Sequence, residues 1–267
     1  MEPKIFFSDL DGTLLNDEKH ISPRMKAAIL AFMDAGNIFV FSSGRPTGSV
    51  KQVANAEQIH HKNFYIAGFN GSEIYYPYTG EMLLQKALSI KDATRIMTIA
   101  QEMDTYVHAY NQKDEILIPH EGAEIDFYHR SIHLPAIVLK DYPQGLTEAP
   151  AKCLGVNLEN RGKLEALKDA IDQEMGDRVC CLKSNPYLLE IFNKTAGKGQ
   201  AVLDMAAHFS VDLHNTFAAG DEQNDISMLQ AAGTGIAMCN GTALVKESAD
   251  VITQDDNNHD GLLPWVT

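Results

Sequence analysis

Apolar runs of strand length recur along the chain, and several end in a polar cluster. Lys4–Ser8 leads into Asp9-Leu-Asp-Gly-Thr13. Asn37–Phe41 leads into Ser42-Ser-Gly-Arg45. Phe64–Ala67 leads into Gly68-Phe-Asn-Gly71, and Asn215–Ala219 into Gly220-Asp-Glu-Gln-Asn-Asp225. None of these runs alternates strictly, which is the pattern of strands buried on both faces. Helical patterns lie between them. Pro23–Ala35 has Ser22 as N-cap, Pro23 in its first turn and Gly36 as its stop, and Gly199–His208 is a second such pattern. Strands alternating with helices predict a doubly wound parallel sheet of the α/β class. Ligands of such sheets bind at the carboxyl ends of the strands, where these polar clusters fall.

The middle of the chain reads differently. Glu73–Tyr76 and Met82–Gln85 flank Tyr78-Thr79-Gly80 as a hairpin. Ser89–Met103 is amphipathic at helical spacing, with strand candidates at Thr105–Tyr110 and Glu115–Ile118. A second stretch, Ala151–Leu158, Gly162–Met175, Arg178–Lys183 and Tyr187–Phe192, reads as strand, helix, strand, strand. Polar clusters of the strand-end kind are few here. Residues 83–188 are therefore expected to form an α+β domain inserted into an α/β core of residues 1–82 and 189–267.

Composition narrows the function. The 267 residues carry 36 Asp+Glu against 22 Lys+Arg, a net charge of −14. Such a balance argues against nucleic acid or an anionic membrane as main partner. It does not exclude a small anionic substrate, because a local cation can outweigh the global field. No apolar run approaches the ~20 residues that span a bilayer. The N-terminal apolar stretch is broken by Asp9 and Asp11, unlike a signal peptide, so the cytoplasm is the expected compartment. Four cysteines, two of them the adjacent Cys180 and Cys181, fit reduced thiols better than a disulfide framework.

The candidate chemistry sits at the strand ends. Asp9 and Asp11, two residues apart after a buried strand, repel each other, and a shared divalent cation would offset that cost. Asp-Gly is also common in plain turns. Asp221 and Asp225 follow another buried strand and open a helix, where Asp also serves as a cap. Capping accounts poorly for two acidic clusters in one sheet, whereas a hard metal needs oxygen ligands from separate segments. Ser43 and Gly44 can place hydroxyl and N–H donors around an oxyanion. Lys198 stands at a helix start, unfavourable for a cation unless an anion lies opposite; Lys194 competes for that role. Gly197-Lys198 does not complete a P-loop, and no G-x-G-x-x-G after a strand and no G-x-S-x-G is present. His129 and His133, four apart, read as packing or solvent-facing residues rather than a zinc pair, because Ser131–Pro135 looks like a chain exit.

Asp9-Leu-Asp-Gly-Thr13, Ser43-Gly-Arg45, Lys198-Gly199 and Gly220-Asp-Glu-Gln-Asn-Asp225, in this order, resemble the four motifs of the haloacid dehalogenase superfamily. The insert between the second and third motifs is placed as in its C2 cap type. Ile66–Gly71, Leu189-Glu-Ile191, Gly235–Met238 and Lys246–Asp250 are similar to the Cof-type (type IIB) hydrolases, typically sugar-phosphate phosphatases. Ser43 replaces the Thr of many members but keeps the hydroxyl, and Ser8 precedes the first Asp where an apolar residue or Asp is usual.

The resemblance implies a Rossmann-like core with a C2B cap and a Mg²⁺-dependent phosphomonoester hydrolase of small phosphorylated metabolites, sugar phosphates foremost. Asp9 would be the nucleophile forming an aspartyl-phosphate, and Asp11 the acid and then the base. Mg²⁺ would be held by the Asp9 carboxylate, the Asp11 backbone carbonyl and Asp221. Ser43, Lys198, Asn224 and backbone N–H groups near Leu10 and Gly44 would hold phosphoryl oxygens, with Asp225 supporting the metal or Lys198 from behind. Asn185 and Tyr187, near the return to the core, are specificity candidates by position. A phosphomutase would share the first step, and a non-catalytic phosphate-binding protein would lack turnover. The expected form is a monomer or small homo-oligomer.

Overall fold

The computed structural model describes residues 2–266, and of Arg161 the backbone only. The chain divides into two compact units, one of residues 1–84 and 197–267 and the other of residues 85–196.

The first unit is built on an eight-stranded sheet. In chain order it holds β1 (Ile5–Ser8), α1 (Pro23–Asp34), β2 (Ile38–Ser42), α2 (Thr47–Ala56), β3 (Phe64–Gly68), β4 (Glu73–Tyr76) and β5 (Glu81–Gln85). The second unit then supplies α3 (Ile90–Glu102), β6 (Tyr106–Tyr110), β7 (Ile116–Ile118), α4 (Ala123–His129), β8 (Ala136–Val138), β9 (Lys152–Val156), α5 (Arg161–Met175), β10 (Val179–Asn185) and β11 (Leu188–Asn193). The first unit resumes with α6 (Lys198–Phe209), β12 (Thr216–Gly220), α7 (Ile226–Ala231), β13 (Thr234–Ala237), α8 (Ala243–Glu247) and β14 (Val251–Ile252).

The strand order of the large sheet is β14-β13-β12-β1-β2-β3-β4-β5. From β14 to β3 all neighbours run parallel, and β4 returns antiparallel along β3. Side chains alternate between two cores. Phe6, Phe39, Phe41 and Phe64 pack with Met25, Ile29 and Phe32 of α1 and Val50 of α2. Ile5, Phe7, Val40 and Ala218 pack on the other face with Val202 and Met205 of α6 and Leu229 of α7. Both faces are thus dry, as the lack of alternation predicts. The expected caps hold: Ser22 Oγ accepts from the Met25 N–H at 3.0 Å, and Gly36 follows the helix at φ +92°.

The second unit is a six-stranded sheet, β10-β11-β9-β6-β7-β8, antiparallel except for the β7–β8 pair. Helices α3 and α5 cover one face, where Ile96, Met97, Leu164, Leu167 and Ile171 meet Val107, Ala109, Cys153, Leu189 and Ile191. Ser89 caps α3 as expected, accepting from the Asp92 N–H at 3.0 Å. The expected return at 188/189 falls instead at 196/197. The reason is backbone pairing: β11 is hydrogen-bonded on one side to β10 and on the other to β9. An apolar Leu-Leu-Glu-Ile-Phe run reads the same in either sheet, so sequence alone places it poorly. His129 ends α4 and His133 lies beyond it, so the two do not share a helix face. Among the described residues no helix is long and apolar enough to cross a membrane.

Candidate active site

The register of β12, β1 and β2 assembles the site. Ser8 pairs with Ala219 on one side and Phe41 on the other. The residues just past these strand ends, Asp9, Asp221 and Ser43, therefore emerge at one level from neighbouring parallel strands. The Asp9 N–H donates to Ala219 O at 3.0 Å, which extends the ladder up to the candidate nucleophile itself.

Two charge groups follow. The first is deeply buried. Lys198 Nζ lies 2.5 Å from Asp9 Oδ1 and 2.6 Å from Asp225 Oδ1. Asp225 Oδ2 accepts the N–H groups of Asp221 and Glu222, each at 3.0 Å, so this carboxylate also fixes the turn that carries Asp221. Asp221 Oδ1 accepts from Thr13 Oγ1 at 2.7 Å, tying the fourth motif to the first. Gly12 is required here: at φ +77°, a Cβ would stand 2.4 Å from Asp221 Oδ2.

Burial raises the Asp9 carboxyl well above the usual carboxylate range; Lys198 opposes the rise, while Asp225 and Asp221 add to it. Burial likewise raises Asp221 to about 7, against the Thr13 hydrogen bond that stabilises its anion. Burial opposes the charge on Lys198, but Asp225 and Asp9 outweigh it and hold the ammonium protonated. Carboxylate oxygens of Asp9, Asp221 and Asp225 all lie within 4.8 Å of one another. With all three carboxylates ionised, one lysine leaves a formal excess of two negative charges in an all-oxygen donor set. That set fits a hard divalent cation such as Mg²⁺.

The second group is more open. Arg45 grips Asp11 bidentately, Nε to Oδ2 and Nη2 to Oδ1, both at 2.7 Å, and Lys19 Nζ reaches Oδ1 at 2.8 Å. Burial pushes Asp11 up, but the hydrogen bonds and charges of Arg45 and then Lys19 prevail and leave it below the usual range. The third acid at metal-binding distance is thus Asp225, while the Asp11 carboxylate is turned to these two cations.

The structure brings Asp9, Asp221, Asp225 and Lys198 together and places Asp11 beside Arg45. Ser43 Oγ accepts the Arg45 N–H at 3.2 Å, and Ser43 itself is buried. Leu10 anchors the turn after β1, its carbonyl accepting from Thr13, Leu14 and Leu15. Gly44 lies in the turn after β2, and Asn224 is half-buried in the turn after β12. Lys194, the competitor of Lys198, sits in the second unit with its ammonium on Gly176 O. Asn185 and Tyr187 stand at the β10–β11 turn, where Asn185 Oδ1 accepts the Tyr187 N–H at 2.8 Å. Sequence reading assigned no role to Thr13, Lys19 or Arg45. Arg45 had a signal, its place in the second motif; Lys19 had none.

A doubly wound sheet with acid-rich strand ends around a buried lysine defines a class, and comparison with known proteins agrees on it. Residues 6–266 match the haloacid dehalogenase-like hydrolases, and the chain belongs to that family. A solved haloacid dehalogenase-like hydrolase from Bacteroides thetaiotaomicron is 27% identical, with a TM-score of 0.88 over 99% of this chain and 98% of that one. A Bacillus subtilis 5-amino-6-(5-phospho-D-ribitylamino)uracil phosphatase is 28% identical over 97% of this chain and 95% of its own length. Another Bacillus subtilis phosphatase, YwpJ, is 26% identical over 96% of each chain.

Proposed function

We propose that this protein is a Mg²⁺-dependent phosphomonoester hydrolase of small phosphorylated metabolites, sugar phosphates foremost, working through an aspartyl-phosphate. The observation that carries this reading is the buried group of three carboxylates at the ends of β1 and β12, two of them on one lysine. A structural ion cluster has no need of an unbalanced charge. Asp9, Asp221 and the Asp11 carbonyl would hold Mg²⁺, with Asp225 behind them. The ion, when bound, offsets the repulsion between carboxylate and phosphate.

The chain's own residues then carry the chemistry. Asp9 attacks phosphorus in line as the bond to the leaving oxygen breaks. Lys198, the Ser43 hydroxyl, Asn224 and the N–H groups near Leu10 and Gly44 hold the phosphoryl oxygens and stabilise the charge that develops on them. Asp11 is ionised while paired with Arg45 and Lys19, so it must first leave those cations and take up a proton from solvent. It then gives that proton to the leaving oxygen and takes one from the water that opens the acyl phosphate. Phosphate leaves and Asp9 is restored. Residues 85–196 are assigned the choice of leaving group, with Asn185 and Tyr187 as candidates.

The test is a phosphate-release screen over sugar phosphates, nucleotides, FMN, pyridoxal phosphate and the ester that names the Bacillus subtilis relative, with and without Mg²⁺. Release should need Mg²⁺ and vanish in Asp9→Asn. Full activity in that variant would sink the assignment, and an isomerised sugar phosphate in place of free phosphate would make the protein a mutase.

A further inference from the structure

The Asp11 group has a composition of its own. Two cations face one carboxylate, an excess of one positive charge. Among the described residues neither Lys19 nor Arg45 makes another ion pair. Arg45 is positioned by its backbone, its N–H on Ser43 Oγ and its carbonyl accepting the Phe69 N–H at 2.9 Å. Lys19 is more telling. It stands at φ +66°, a left-handed conformation that glycine or asparagine would adopt more cheaply.

The segment that holds Lys19 there is fastened on several sides. The Asn16 N–H donates to His20 O at 3.0 Å and the Lys19 N–H to Asn16 O at 2.9 Å. The His20 N–H donates to Asn16 Oδ1 at 2.9 Å, and the His20 ring meets Glu57 Oε1 at 2.8 Å. From the far end of the chain, Asn257 Nδ2 donates to Leu15 O at 2.9 Å, and Asn258 Oδ1 accepts the Asp17 N–H at 3.0 Å. These bonds fix the turn and so hold the Lys19 ammonium on the carboxylate of the first motif.

We propose that Lys19, with Arg45, is a specificity-determining residue that reads a negative charge on the leaving group. This inference rests on the phosphatase reading above. There, Asp11 serves the leaving oxygen, so the cations gathered on Asp11 lie on the leaving-group side. The acid cluster, with two negative charges in excess, is matched by a divalent cation; the Asp11 group, with one positive charge in excess, is matched by a carboxylate or second phosphate on the substrate. Within the phosphorylated metabolites proposed above, the substrate class is then narrowed to one with a second anionic group, such as a phosphorylated sugar acid or a sugar bisphosphate, rather than a neutral sugar monophosphate. Such a charge match selects among partners more than it adds affinity.

The experiment uses the full chain with Mg²⁺ and p-nitrophenyl phosphate as reporter, with 3-phosphoglycerate and glycerol 3-phosphate as competing ligands. These differ by one carboxylate. The wild type should bind the carboxylate-bearing ester about five- to tenfold more tightly, the scale of one charged hydrogen bond on a half-open side chain. Lys19→Gly, which suits the backbone, should remove most of that preference while weakening glycerol 3-phosphate by about twofold at most. Lys19→Arg should restore it, and added salt should shrink it in the wild type. Lys19→Asn, also at ease at positive φ, replaces the glycine variant should that one fold poorly. Equal weakening of both ligands, or a wild type indifferent to the carboxylate, would overturn the inference and leave the phosphatase reading intact. No hydrolysis of the reporter or of any ester in the screen would overturn both.

Discussion

Each of the two units buries ions, and they do so in opposite ways. In the first, Asp9 and Asp225 share Lys198 with Asp221 close beside them, at the ends of parallel strands, and acid is in excess. In the second, Lys152 of β9 and Glu190 of β11 meet at 2.6 Å in the middle of a sheet face, and the charges match. Beside this pair lies a chain of neutral groups, with His108 Nε2 3.0 Å from Tyr110 OH, which donates to Tyr128 OH at 2.7 Å. Burial, with Lys152 and His129 adding, lowers His108 to about 3, so it stays uncharged. Parallel strands with helices on both faces leave polar groups only the strand ends. The antiparallel sheet has helices α3 and α5 on one face, so its other face can carry a polar network. Balanced burial is a device of folding; unbalanced burial asks for a ligand.

The sharpest way to break this comparison is to remove one lysine from each unit. Lys198→Met should lower phosphate release by about a hundred- to a thousandfold, the cost of losing one preorganised donor to the phosphoryl group. Adding back Mg²⁺ should not rescue it. Lys152→Met should instead leave catalytic chemistry in place but lower stability by about 3–5 kcal/mol in denaturant titration, because Glu190 is left buried and charged. The double variant Lys152→Met/Glu190→Leu should recover most of that loss, since a matched pair is replaced by packing. A double variant as unstable as the single would make the pair more than a structural match.

The two units should also respond to pH in opposite directions. The Asp221 carboxyl is near 3.8 unfolded and about 7 folded, so the folded chain binds the extra proton between those values. Its contribution is present below pH 3.8 and lost as pH rises through about 7, in chelator. His108 is near 6.5 unfolded and about 3 folded, so its contribution is present above 6.5 and lost as pH falls toward 3. Hydrogen exchange followed from pH 4 to 7 should show amides of β1 and β12 weakening with rising pH and those of β6 and β9 strengthening. Mg²⁺ should flatten the first slope only, Asp221→Asn should reduce it while leaving the part due to the raised Asp9, and His108→Gln should abolish the second. The smallest effect on stability is expected from Gly12→Ala. Its positive φ should cost about 1–2 kcal/mol in stability. Activity should fall further, because the new methyl displaces Asp221.

Much of the first unit was legible because its signals are local. Four buried strands ending in polar clusters, a Ser-Pro helix start and a following glycine each need only a few neighbours to be read. The same holds for the positions of Asp9, Asp11, Ser43 and Asp221, which stand where strands end, and of Lys198, which stands at a helix start. Other features depended on residues far apart. The polar face of the second sheet went unread because His108, Lys152 and Glu190 come from three segments, each of which looks like an ordinary strand.

The sequence by itself determined which apolar runs end in polar clusters and the family to which the chain belongs, since apolar periodicity and motif order are properties of short windows. Only the tertiary structure decided how the charges are shared. It placed β11 with the second sheet through backbone pairing, set Asp225 rather than the Asp11 carboxylate beside Asp9 and Asp221, and delivered Lys19 to Asp11 by bonds from residues 257 and 258. Charge balance is a property of which groups meet within a few ångströms, and that is fixed by packing across the whole chain.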